Sequence, residues 1–133
     1  GCPNNVVKAC MPLGGIYEID FSQMGNPDNP WMETAYPMAF EDINDTELAS
    51  DLSPLNHVKG NKVPFHVSWG ETDVPEVLRT TDRFVEALTN ENCVLETYMW
   101  PYLDHYDTNI EQGHESGPWI LKMREWMNKL PKV

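Results

Sequence analysis

Between Val63 and Trp100 the sequence changes its hydrophobic period twice, and this constrains the fold more than any other feature. VPFHVSW (63–69) is a short apolar run between Lys62 and Gly70, and it reads as a buried strand. GETDVPE (70–76) is a turn with Pro75 at the opening of a helix. Val77, Leu78, Thr81, Phe84, Val85 and Leu88 then recur at i, i+3, i+4 spacing, which predicts an amphipathic helix over 75–89. CVLETYMW (93–100), rich in β-branched and aromatic residues, predicts a second strand, ended by Pro101. Strands alternating with helices predict an α/β fold, a mostly parallel sheet with helices on both faces.

The flanking segments are less regular. Residues 6–19, VVKACMPLGGIYEI, read as a buried strand that opens into a loop at Gly14-Gly15. An irregular, cap-like excursion is expected over about 21–52, where Pro27, Pro30, Pro37 and Gly25 break the pattern. Within it a short helix is expected near Trp31–Ala35, and another after Thr46 as N-cap, stopped by Ser53-Pro54. LDHYDTNIEQGHESG (103–117) reads as a polar loop. Ser116 is expected to cap a final helix whose shared face carries Trp119, Met123, Trp126 or Met127, and Leu130. There is no internal repeat, and no apolar run approaches the ~20 residues of a membrane span.

The net charge of −12 argues against nucleic acid and against an anionic membrane surface, both of which require a cationic face. Residues 1–58 hold nine acids against Lys8 alone, a solvated acidic face. Cys2, Cys10 and Cys93 make no disulfide framework; Cys10 and Cys93 lie in apolar segments and read as buried thiols, favouring a reducing, cytoplasmic compartment. Gly1 in place of Met implies that translation starts upstream.

Ligands of open parallel sheets bind at the carboxyl ends of the strands. Asp73 follows the first of the two strands through a tight turn, and His105 follows the second. Taken singly, Asp73 reads as a turn or cap residue and His105 as a solvated histidine. Adjacent parallel strands would bring them together, with the carboxylate accepting the Nδ1 proton of His105 and so fixing its tautomer for general-base work. His66 reads as core, His57 as a linker residue and His114 as the far end of the polar loop. No HExxH or paired Cys/His spacing suggests a metal, no phosphate-loop pattern surrounds Gly14-Gly15, and no cofactor is expected. Met11, Met32 and Met38, with Tyr17, Phe21, Trp31, Tyr36 and Phe40, line either an apolar substrate pocket or ordinary core. A nucleophile is missing, because no GxSxG elbow and no HGG-type oxyanion segment occur in the chain.

These motifs resemble the C-terminal half of an α/β-hydrolase of the esterase/lipase and arylformamidase-like group. The resemblance runs through VKACMPLGGIYEI, ASDLSPLNHV, VPFHVSWGETDVPE, TTDRFVEAL and LDHYDTN. GETDVPE with DHYDTN is its most specific part. It implies that residues 1–133 form the C-terminal part of one domain, with Asp73 as triad acid and His105 as triad base. It implies further that the GxSxG serine and the oxyanion hole lie on the N-terminal half, a second chain or segment completing the sheet. The turn-like Gly1-Cys2-Pro3-Asn4-Asn5 start suits a nicked loop tip. The expected activity is serine-dependent hydrolysis of a small carboxylic ester. Amide or formamide hydrolysis by the same groups, or a non-catalytic hydrolase-like binding module, are the alternatives; a flavodoxin-like regulatory domain lacks its acidic cluster and lysine.

Overall fold

The computed structural model describes residues 6–24, 26–28, 30, 32–40, 42, 44–112 and 114–131. The expectations for Gly1–Asn5, including Cys2, and for Gly25 and Trp31 fall outside these residues. Two parallel strands, β1 (Phe65–Gly70) and β2 (Leu95–Trp100), pair in the register Phe65 to Leu95 through Gly70 to Trp100. The helices are α1 (Met32–Ala39), α2 (Thr46–Leu52), α3 (Pro75–Asn90), α4 (His105–Gln112) and α5 (Pro118–Lys129), with 3-10 turns at Phe21–Gln23 and Pro54–His57.

The segment expected as a strand over 6–19 is a broken one. It meets β1 in parallel at only two positions, Cys10 opposite Phe65 and Leu13 opposite Ser68. Cys10 donates to the Pro64 carbonyl at 2.9 Å, His66 donates to the Cys10 carbonyl at 2.9 Å, and Gly14 donates to the Ser68 carbonyl at 2.9 Å. The interruption falls at Pro12, which has no N–H to give to the ladder. Gly14, at φ +58°, then turns the chain away.

The two faces of β1 bury different helices, as the period of two requires. Phe65 and Val67 face α3, where Phe84 and Leu88 complete a core with Tyr17 and Val58. Tyr17 stacks on Phe84 with centroids 4.1 Å apart, and its N–H donates to Thr80 Oγ1 at 3.1 Å. Each such buried side chain contributes about 1.5–3 kcal/mol. On the opposite face, His66 packs edge-on to Trp126 of α5, and Trp119 Nε1 donates to Ser68 Oγ at 3.2 Å. Helices cover both faces.

Five local readings are corrected. Residues 103–117 are not a loop: α4 forms because Asp104 caps it, accepting the Asp107 N–H at 2.8 Å, although only Thr108 of its described side chains is buried. Ser116 does not cap α5; Gly117 holds that position and Ser116 Oγ instead pairs with His114 Nδ1 at 2.8 Å. Asp45, not Thr46, caps α2, accepting the Leu48 N–H at 2.9 Å. Along α3 the buried positions are Glu76, Val77, Thr80, Thr81, Phe84 and Leu88, whereas Leu78 is exposed. Cys10 and Cys93 are half-buried rather than buried, and both are free thiols. The aromatics of the excursion are largely packing: Phe21, Tyr36 and Phe40 meet edge to face, and Met32 is fully buried, while Met38 is exposed.

His66 carries a pH dependence. It is fully buried, its ring nitrogens have no hydrogen-bond partner among the described residues, and Glu96 Oε1 stands 3.6 Å away. Burial pushes its pKa below the ordinary 6.5, outweighing the opposing pull of Glu96. The unfolded chain therefore binds this proton more readily, so the contribution to stability is fully present above pH 6.5 and is lost as pH falls below it. Melting temperature should drop as pH falls below about 6.5, and His66→Leu should flatten that drop. An unchanged slope in the variant would refute the assignment.

Candidate active site

Gly70 ends β1 and Trp100 ends β2 as register partners, so the turns that follow them lie side by side. The turn after β1 carries Asp73, whose side chain is fully buried. Its Oδ2 accepts the Gly70 N–H at 3.0 Å, and its Oδ1 accepts the Val74 N–H at 2.9 Å. This local folding leaves one free direction at Oδ1, and His105 Nδ1 fills it at 2.7 Å. His105 is the first residue of α4, with its side chain 36% exposed. The buried carboxylate and the half-exposed imidazole form an oriented pair, with Nε2 as the nitrogen left to exchange protons.

The surroundings of the pair restrict its neighbours to glycine at two places. A Cβ on Gly14 would lie 3.3 Å from His105 Nδ1 and 3.4 Å from Asp73 Oδ2, in a backbone at φ +58° that side chains rarely adopt. A Cβ on Gly70 would lie 2.4 Å from the Leu103 carbonyl. The start of α3, just past Asp73, is pinned by buried Glu76, which Arg79 engages while also bonding Glu18 Oε2 at 2.8 Å. These contacts raise the guanidinium pKa still further, with the Glu76 hydrogen bond the largest cause.

The other histidines stand apart from the pair. His57 Nε2 contacts the Asp51 carbonyl at 2.7 Å on the surface, His66 is core, and His114 pairs with Ser116. Gly14 was visible in the sequence only as part of a Gly-Gly with no phosphate-loop context. Its signal is position: it stands at the end of the segment flanking β1, level with the ends of β1 and β2. Among the described residues no group of three or more His, Cys, Asp or Glu is placed to hold a metal ion. Among them, too, no helix is long and apolar enough to cross a membrane.

No protein-family model and no curated protein matches the sequence. Solved structures do match the fold. An acylaminoacyl peptidase from Pyrococcus horikoshii is 17% identical with a TM-score of 0.66, over 95% of this chain and 21% of that one. A thermophilic esterase from the planctomycete Thermogutta terrifontis, with propionate bound, is 16% identical with a TM-score of 0.59, over 95% of this chain and 45% of that one. The same organism's esterase 2, phosphonylated by sarin, is 17% identical with a TM-score of 0.59, over 92% of this chain and 42% of that one. The chain thus spans less than half the length of each, and its fold is that of part of an α/β-hydrolase.

Proposed function

We propose that this chain supplies the acid and the base of a serine hydrolase acting on small carboxylic esters. The observation that carries this reading is the 2.7 Å bond between His105 Nδ1 and the buried carboxylate of Asp73. Asp73 holds His105 in the tautomer whose Nε2 accepts a proton, and stabilises the imidazolium that forms. A serine hydroxyl, deprotonated by Nε2, attacks the ester carbonyl, and His105 returns the proton to the leaving alcohol. A water deprotonated by Nε2 then releases the acid from the serine, which takes the proton back. The pair acts on the side of the sheet where α4 begins.

The serine and the oxyanion hole belong, in this reading, to the N-terminal half of the same hydrolase, of which residues 1–133 are the C-terminal part. The edge of the 10–14 segment away from β1, which no described strand pairs, is the place for that half to continue the sheet. The α/β-hydrolase fold and the esterases and peptidase that share it support the reading. Amide hydrolysis, including the arylformamidase type, uses the same groups, and the acylaminoacyl peptidase among the fold relatives favours keeping it as the second reading. An oriented acid–histidine pair argues against a purely binding module, which needs neither group.

A substrate panel on the two-part protein tests this. Nitrophenyl esters of short acids should turn over faster than N-formyl anilides; the reverse order would install the amide reading, and no turnover of either class would refute both.

A further inference from the structure

Four residues, 101–104, join β2 to α4, and one of them is in an unfavourable conformation. Tyr102 sits at φ +65°, in the left-handed region that residues with a side chain rarely adopt. The residue is 87% exposed, so burial of the side chain does not compensate. The hydrogen bonds that hold it come from the neighbouring turn. Glu71 Oε2 accepts the Tyr102 N–H at 2.8 Å, and the Glu71 N–H donates to the Trp100 carbonyl at 2.9 Å. Thr72 gives both its N–H and its Oγ1 hydroxyl to the Leu103 carbonyl, each at 3.1 Å.

These contacts stitch the turn that carries Asp73 to the turn that delivers His105. The Thr72 and Glu71 backbone bonds survive most substitutions, because they need no particular side chain beyond the Thr72 hydroxyl. The bond to the strained residue itself depends on one side-chain oxygen. Should Tyr102 relax to negative φ, the peptides behind it rotate, and the N-terminus of α4 moves with Asp104 and His105. We infer that Glu71 is a positioning residue: its carboxylate holds Tyr102 in the left-handed conformation and thereby sets His105 against Asp73.

The effect on rate rests on the hydrolase reading, whereas the effect on geometry does not, and the test separates them. Glu71→Ala, Glu71→Gln and the double variant Glu71→Ala/Tyr102→Gly are compared in the two-part protein. Three quantities are measured: the low-field proton resonance of His105 Nδ1, amide exchange at residue 102, and kcat with KM. Water reaches Glu71, so its loss weakens the clamp without destroying the fold. Glu71→Ala should speed exchange at Tyr102 about tenfold, shift and broaden the Nδ1 signal, and lower kcat about tenfold with KM changed less than about threefold. Glu71→Gln keeps an acceptor oxygen and should restore both the signal and most of the rate. Glycine adopts φ +65° at no steric cost, so the double variant should recover part of the loss. A wild-type Nδ1 signal in Glu71→Ala, or a Gln variant as impaired as the Ala variant, overturns the clamp. If the signal responds as expected but the wild-type protein turns over no ester or amide, the clamp stands and the hydrolase reading falls.

Discussion

Replacing His105 by alanine is expected to remove nearly all turnover while leaving the melting temperature close to unchanged. Members of an acid–base–nucleophile set act as a unit, so the loss should reach several powers of ten. Stability should hold because Asp73 Oδ1 keeps the Val74 N–H and Oδ2 keeps the Gly70 N–H when the imidazole is gone. The other histidines are internal controls. His57→Ala loses one exposed contact and His114→Ala its exposed contacts with Ser116, and both should be nearly silent. His66→Ala opens a cavity beneath Trp126 and should lower stability more than rate. Ester hydrolysis and melting curves for all four variants decide the matter. If His105→Ala keeps even about a tenth of the wild-type rate, or if another variant is the inactive one, the base is misassigned.

Asp73→Asn should cost both rate and stability, for a reason visible in its partners. Both carboxylate oxygens accept backbone N–H groups, Gly70 at one and Val74 at the other. An asparagine must turn its NH2 toward one of these donors. Placed at the Oδ2 position it leaves the Gly70 N–H unpaired in a buried site, costing about 1–3 kcal/mol. Placed at the Oδ1 position it opposes both the Val74 N–H and the Nδ1 proton, and drives His105 into the wrong tautomer. In serine proteases that inversion costs about 10⁴ in rate. The check is kcat alongside chemical denaturation. A variant that keeps wild-type kcat, or that loses rate while regaining it fully as pH falls, contradicts the role given to Asp73.

The meeting of Asp73 and His105 was legible in the sequence because both residues stand where strand periodicity ends. VPFHVSW and CVLETYMW have no competing helical reading, and Pro75 marks the start of α3. Their parallel pairing then follows from the intervening helix and brings the two turns together. What the sequence hid was set by single backbone groups. The polarity of DHYDTN suggested a loop, yet one carboxylate cap at Asp104 suffices to start α4 there. Pro12 looked like part of an apolar run, but its missing N–H interrupts the pairing with β1. Gly14 and Glu71 act through contacts with residues far away in the chain, which no local pattern announces.

The central claim is that Asp73 and His105 activate a serine that lies outside these 133 residues. A fluorophosphonate probe, which reacts with serines activated in this way, tests it directly when the labelled two-part protein is digested and read by mass spectrometry. The account predicts one labelled serine, on the N-terminal half within a GxSxG elbow, and loss of that label in His105→Ala. Labelling of Ser22, Ser50, Ser53, Ser68 or Ser116, or labelling that persists undiminished without His105, would contradict it.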